Sequence, residues 1–96
     1  MNTKQRIEEL LRQTLAATVV EVEDESALHV GHAGAAAGGG HYRVTIVSPL
    51  FEGKNQVARH RMVYDVLAAE MQRTIHALAL TTLTPSQHLS GREPLQ

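Results

Sequence analysis

Two stretches that alternate in the manner of strands, residues 18–23 (TVVEVE) and 41–48 (HYRVTIVS), flank residues 24–40 (DESALHVGHAGAAAGGG), which have no periodicity at all. In the first, Val20 and Val22 alternate with Glu21 and Glu23. In the second, Tyr42, Val44 and Ile46 alternate with Arg43 and Thr45. A period of two buries one side of a strand and wets the other, so both stretches call for a sheet with one covered face. The five glycines between them predict a long loop rather than a third element. The expected unit is an antiparallel hairpin with an overlong tip.

The cover for that face lies on either side of the hairpin. Ile7, Leu10, Leu11 and Leu15 fall on one helical stripe, with Asn2 placed to cap it and Gln5 at the reciprocal capping position. Pro49 ends the second strand, and Leu50 and Phe51 are expected as two buried anchors of a turn that closes at Gly53. Asn55 is a plausible cap for a helix over residues 56–73, with Tyr64, Leu67, Ala68 and Met71 facing the core. Residues 74–83 (TIHALALTTL) read as a third strand. Thr84-Pro85-Ser86 opens a last helical turn through Leu89, because proline suits the first helical position. The expected architecture is α+β in the order α-β-β-α-β-α: a three-stranded mixed sheet with helices on one face, over residues 1–89. Residues 90–96 are expected as a flexible tail.

Strand, helix and strand in succession form a crossover long enough for parallel pairing. The first strand runs against the second, so three points are expected on one edge of the sheet: the end of strand one and the starts of strands two and three. Four of the six histidines map there. His29 and His32 lie in the loop, His41 opens the second strand and His76 opens the third. Imidazole is a common metal ligand, yet each of these residues is also open to the plainer reading of a surface histidine with no shared task. The chain has no cysteine, and a closed structural zinc site wants four ligands, so a partner would have to complete the set. A chain that binds zinc or another divalent ion by itself through these four histidines is the weaker alternative.

His60 sits apart, in Arg59-His60-Arg61 on the second helix at the opposite end of the sheet. With Lys54 and Arg43, the latter far along its strand, these residues form the basic concentration of the chain, a candidate phosphate contact or simply a solvated helix face. Net charge is −1, which excludes a dominant polyelectrolyte partner and leaves nucleic acid only a local patch. Three aromatic residues supply a poor stacking platform. No spacing of Ser, His and Asp suggests a catalytic triad, and the glycines at 38–40 precede no helix, so no enzyme is expected. The chain also lacks an apolar run of the roughly 20 residues that a membrane span needs, and a cytoplasmic protein is expected.

The residues Asp24-Glu25-Ser26, His29, His41-Tyr42-Arg43-Val44, Val47-Ser48, Phe51-Glu52-Gly53, Arg59-His60-Arg61-Met62-Val63-Tyr64 and His76-Ala77-Leu78-Ala79-Leu80 closely resemble the BolA family. The resemblance runs from about Lys4 to Gln87, and F-x-G-x5-RHR-x-VY followed by HALAL is its most specific part. It implies a domain similar to the type II KH fold. It also implies a monothiol glutaredoxin as heterodimer partner, with a shared [2Fe–2S] cluster. The glutaredoxin then supplies a cysteine, its bound glutathione a second thiolate, and this chain His76 and a loop histidine, carried over as His29. His32 and His41 are alternatives, because Ala35-Ala36-Ala37-Gly38-Gly39-Gly40 looks inserted beside them. The isolated chain is expected to hold no cofactor tightly and to be a monomer or weak homodimer. The family's other attributed role is DNA binding in transcriptional regulation, here through Lys54, Arg59, His60 and Arg61. The GxxG loop by which KH domains clamp a nucleic-acid backbone is absent, since the turn reads Gly53-Lys54-Asn55-Gln56.

Overall fold

The structure is a computed structural model that describes residues 2–25 and 40–91. The elements run α1 (Thr3–Leu15), β1 (Val19–Asp24), β2 (Gly40–Val47), a 3-10 turn (Pro49–Phe51), α2 (Gln56–Val66), α3 (Ala68–Met71), β3 (Ile75–Leu83) and α4 (Pro85–Gly91). The sheet order is β1-β2-β3, with β1 antiparallel and β3 parallel to β2, as the crossover requires.

Helices α1, α2 and α4 each start where a side chain satisfies open backbone donors. Asn2 accepts from the Gln5 amide at 2.9 Å and its own amide donates to Gln5 Oε1 at 3.1 Å, the expected reciprocal cap. Asn55 accepts from the Ala58 amide at 2.9 Å. At α4 the same reciprocal arrangement joins Thr84 and Gln87. Such caps are worth about 1 kcal/mol each. The far end of α1 closes on Ala16 in the left-handed region, φ 51° and ψ 35°. That end is held by buried Ser48, whose hydroxyl donates to the Leu15 carbonyl at 2.6 Å and accepts from the Leu50 amide.

The core lies between the sheet and the α1 and α2 helices. Ile7, Leu11 and Leu15 meet Val20, Val22, Tyr42, Val44 and Ile46, with Phe51, Val63, Leu67 and Ile75 filling the centre. Phe51 is fully buried, worth roughly 2–3 kcal/mol, whereas Leu50, the second expected anchor, is 45% exposed.

The crossover differs from its expected form in two linked ways. The helix breaks at Leu67 (φ −97°, ψ 13°), so α2 and α3 replace one helix to Arg73. The buried stripe is Arg59, Val63, Leu67 and Glu70, while Tyr64 and Ala68 face outward. A reading by apolar spacing moves this stripe round by one residue because its two ends are charged.

The inward turn of Glu70 is balanced by Arg6, whose Nε donates to Glu70 Oε2 at 2.7 Å, and by Thr74, whose hydroxyl donates to Oε1 at 3.0 Å. The hydrogen bond from Arg6 is the largest of the effects that hold the Glu70 carboxyl below the usual range. Burial opposes it and Thr74 assists. A carboxyl lowered on folding adds stability that is fully present above its unfolded pKa and fades as pH falls through the lower folded value. Arg6→Ala is therefore expected to cost about 1–3 kcal/mol at pH 7. Its difference from the parent should shrink below about pH 4.5 as the carboxyl protonates. Urea unfolding from pH 7 to pH 3 tests this, and a difference that stays constant across the range would refute it.

Candidate functional site

His41 stands near the start of β2 and His76 near the start of β3, and the parallel pairing brings them together at one rim. Their ring centroids are 5.1 Å apart, with planes tilted by 49°. His76 is exposed and His41 half-buried.

The register explains how His76 comes to be exposed. Gly40 pairs with Ile75 and His41 with Ala77, so His76 is the extra residue of a bulge, with no counterpart across the ladder. Ile75 is buried in the core, as are the inner sides of Leu78 and Leu80 in part. Side chains that share a face of a regular strand are an even number of residues apart. Three positions separate Ile75 from Leu78, and the bulge absorbs the mismatch by turning His76 out of the alternation. The sequence carried this signal, in the odd spacing of its apolar residues, and strand alternation read from Leu78 and Leu80 alone missed it.

Gly40 is the other element of the rim that spacing did not single out. A Cβ there would lie 2.4 Å from the Tyr42 ring. The buried Tyr42 side chain thus occupies the space that any larger residue at position 40 would need. Beside His41, a shallow cavity of about 160 Å³ is lined by Glu25, Tyr42, Ala77, Leu78 and Ala79. Arg43, on the uncovered face of the sheet, donates to Glu25 at 3.0 Å and lies 3.9 Å from Glu23. Hydrogen bonding to Glu25, reinforced by its charge, raises the Arg43 pKa further above its ordinary value. Arg43 therefore belongs to the acidic flank of the rim and not to the basic group around His60.

Two imidazoles are borderline donors suited to zinc, copper or iron. No three His, Asp or Glu side chains converge for a metal among the described residues. Among the described residues the rim brings together two imidazoles, those of His41 and His76. His29 and His32, the loop candidates, lie outside the described residues.

At the opposite end, Lys54 and Arg61 are exposed and His60 is half-buried. Arg59 departs from the expected patch. It is only 6% exposed, its Nε donates to the Lys54 carbonyl at 2.8 Å, and Nη1 donates to the Thr82 carbonyl at 3.2 Å and Gln87 Oε1 at 2.8 Å. The guanidinium also stands 5.8 Å from the Phe51 ring centroid. These contacts join α2, β3 and the cap of α4, so Arg59 holds the fold and is not presented to a phosphate.

Comparison with known proteins agrees with this architecture. The family model for BolA-like protein matches residues 11–87. The DNA-binding transcriptional regulator BolA of Escherichia coli is 44% identical over 84 residues, which cover 88% of this chain and 77% of that protein. SufE-like protein 1, chloroplastic/mitochondrial, of Arabidopsis thaliana is 40% identical over 87 residues, 85% of this chain but only 24% of that longer protein. Among solved structures, the BolA domain of SufE1 from Arabidopsis thaliana superposes with a TM-score of 0.77 at 38% identity, covering 91% of this chain and 98% of that one. No helix among the described residues is long and apolar enough to cross a membrane.

The interior position of Arg59 has a measurable consequence. Arg59→Ala is expected to lower stability by about 2–4 kcal/mol, because it removes three hydrogen bonds that join α2, β3 and α4 and opens a cavity. Arg59→Lys should recover little of this, since an ammonium cannot reproduce the planar fork. Lys54→Ala and Arg61→Ala should stay within about 0.5 kcal/mol of the parent. Chemical denaturation of the four variants checks the ranking, and equal costs at 59 and 61 would contradict it.

Proposed function

The chain belongs to the BolA-like family, and from that premise we propose that it is a non-enzymatic partner of a monothiol glutaredoxin. The two proteins share a [2Fe–2S] cluster in iron–sulfur trafficking or iron regulation. The observation that carries this reading is His76, bulged out of β3 and exposed at a rim where a second imidazole, that of His41, stands 5.1 Å away. The glutaredoxin cysteine and a glutathione thiolate supply the soft donors that a cysteine-free chain lacks.

In this reading His76 is the ligand from β3. The second ligand from this chain is His29, with His32 and His41 as alternatives. Histidine in place of thiolate raises the potential of a cluster and makes the bond sensitive to protonation, properties suited to a cluster in transit. The cluster is cargo, and the work of this chain is to present an imidazole on a strand end while the partner brings the thiolates.

A second reading draws on the relative from Escherichia coli, whose name states that it is a DNA-binding transcriptional regulator. Here it would rely on Lys54, His60 and Arg61 without Arg59. Two permanent charges give a salt slope of only about −2 in log K against log salt, and correspondingly weak binding.

Adding the chain to a cluster-loaded monothiol glutaredoxin with glutathione is expected to give a heterodimer with changed visible absorption and circular dichroism. His76→Ala should abolish the change and Arg61→Ala should leave it intact. An unaltered spectrum for the His76→Ala mixture relative to the parent mixture would sink the cluster reading. Salt-dependent DNA binding lost on Lys54→Ala and Arg61→Ala would favour the second.

A further inference from the structure

We infer that a hydrogen-bonded chain through Arg6, Glu70, Thr74 and Gly40 is the positioning network for His76, an inference that rests on the proposed ligand role of that residue. A bulged residue has no cross-strand neighbour to fix it, so its aim is inherited from the backbone on either side. On the far side the ladder resumes at Ala77, paired with His41. On the near side the strand is held by Thr74, two residues before His76. The Thr74 amide donates to the Glu70 carbonyl at 2.8 Å and its hydroxyl donates to Glu70 Oε1 at 3.0 Å. Its carbonyl accepts from the Gly40 amide at 2.9 Å. Gly40 immediately precedes His41 and is locked beneath the Tyr42 ring. One residue thus ties together the backbone just ahead of both imidazoles.

The anchor of this chain is unusual for a purely structural contact. Glu70 has a side chain only 6% exposed, and Arg6 reaches it from α1 at 2.7 Å. A buried carboxylate is a costly way to fill space that an apolar residue fills more cheaply, and its better-attested use is to select one arrangement over its neighbours. Here the selected arrangement is the entry of β3, and through it the direction of His76.

Thr74→Val removes the hydroxyl and keeps the shape, while Thr74→Ser keeps the hydroxyl. In the isolated chain, Thr74→Val is expected to speed amide exchange at Gly40 by roughly five- to tenfold relative to the Val44 amide of the same strand. It should also abolish the nuclear Overhauser contact between the His41 and His76 rings. Thr74→Ser should restore both. Ser48→Ala, which removes a buried hydroxyl at the other end of the sheet, should lower the melting temperature without changing either signal. Persistence of either the parent exchange ratio or the ring contact in Thr74→Val overturns the network. If Thr74→Val loosens the rim but the parent forms no cluster-bound heterodimer, the positioning stands and the ligand role fails. If the heterodimer forms and the rim of Thr74→Val is unmoved, the ligand role stands and the network fails.

Discussion

The histidine rim depends on the parallel pairing of β2 with β3, and on the single residue by which the two strands fail to match. Parallel strands cannot be joined by a tight turn, so the chain must cross the sheet through α2 and α3 and return to the end at which β2 began. That return sets His76 beside His41 although a whole crossover separates them in sequence. Pairing alone would still leave His76 on the same side as Leu78 and Leu80, facing the helices. The bulge between the Gly40–Ile75 and His41–Ala77 pairs turns it out of that alternation. An outward-facing imidazole at the mouth of the sheet is thereby made from a residue that ordinary strand geometry would have covered.

The crossover is fixed at both ends by buried charge. At the entry, Arg59 gathers the Lys54 and Thr82 carbonyls and Gln87. At the exit, Glu70 gathers Arg6 and Thr74. Between them Tyr64 donates to the Leu78 carbonyl, and Gln56 exchanges hydrogen bonds with the carbonyl and hydroxyl of Thr82. The Leu83 carbonyl accepts from the Ser48 amide, just past the end of β2, so the alternating carbonyls of Leu78 and Thr82 point away from β2. Side chains of α2 therefore cap the outer edge of β3, which blunts it against pairing with another strand. Neither charged residue is an efficient source of stability, because desolvation offsets much of what the contacts return. Their common effect is to admit one path for the crossover, and hence one register for β3.

This division between apolar and polar information governs what was legible in the sequence. Caps and amphipathic stripes act locally, and Asn2, Gln5, Asn55 and the Ile7–Leu11–Leu15 face were all readable from spacing. The edge shared by His41 and His76 followed from topology once the element order was set. What escaped depends on charge buried inside the fold. Arg59 and Glu70 occupy the inner stripe, and hydropathy assigns such residues to solvent until their partners, distant in sequence, are known. Assigning the stripe to Tyr64 and Ala68, and counting Arg59 into a basic patch, are one misreading with one cause. The bulge was marked only by the odd spacing of Ile75 and Leu78, and the steric demand at Gly40 comes from the Tyr42 ring two residues along the same strand, which no spacing states.

Arg59 and His76 make an instructive pair, because each stands inside a motif whose type of residue suggests a binding surface. Only one is presented outward. A nearly buried arginine whose Nε and Nη1 engage two carbonyls and a side-chain amide is turned into the fold and adds little to recognition of an anion. An exposed imidazole on a bulge retains a lone pair for an incoming group. On the proposed reading, the incompleteness of the donor set is itself functional. Two nitrogens hold a soft metal centre weakly, whereas the same nitrogens combined with thiolates on a docked partner act at high effective concentration. Cluster retention then depends on both proteins being present, so that separating the pair is enough to release what they share.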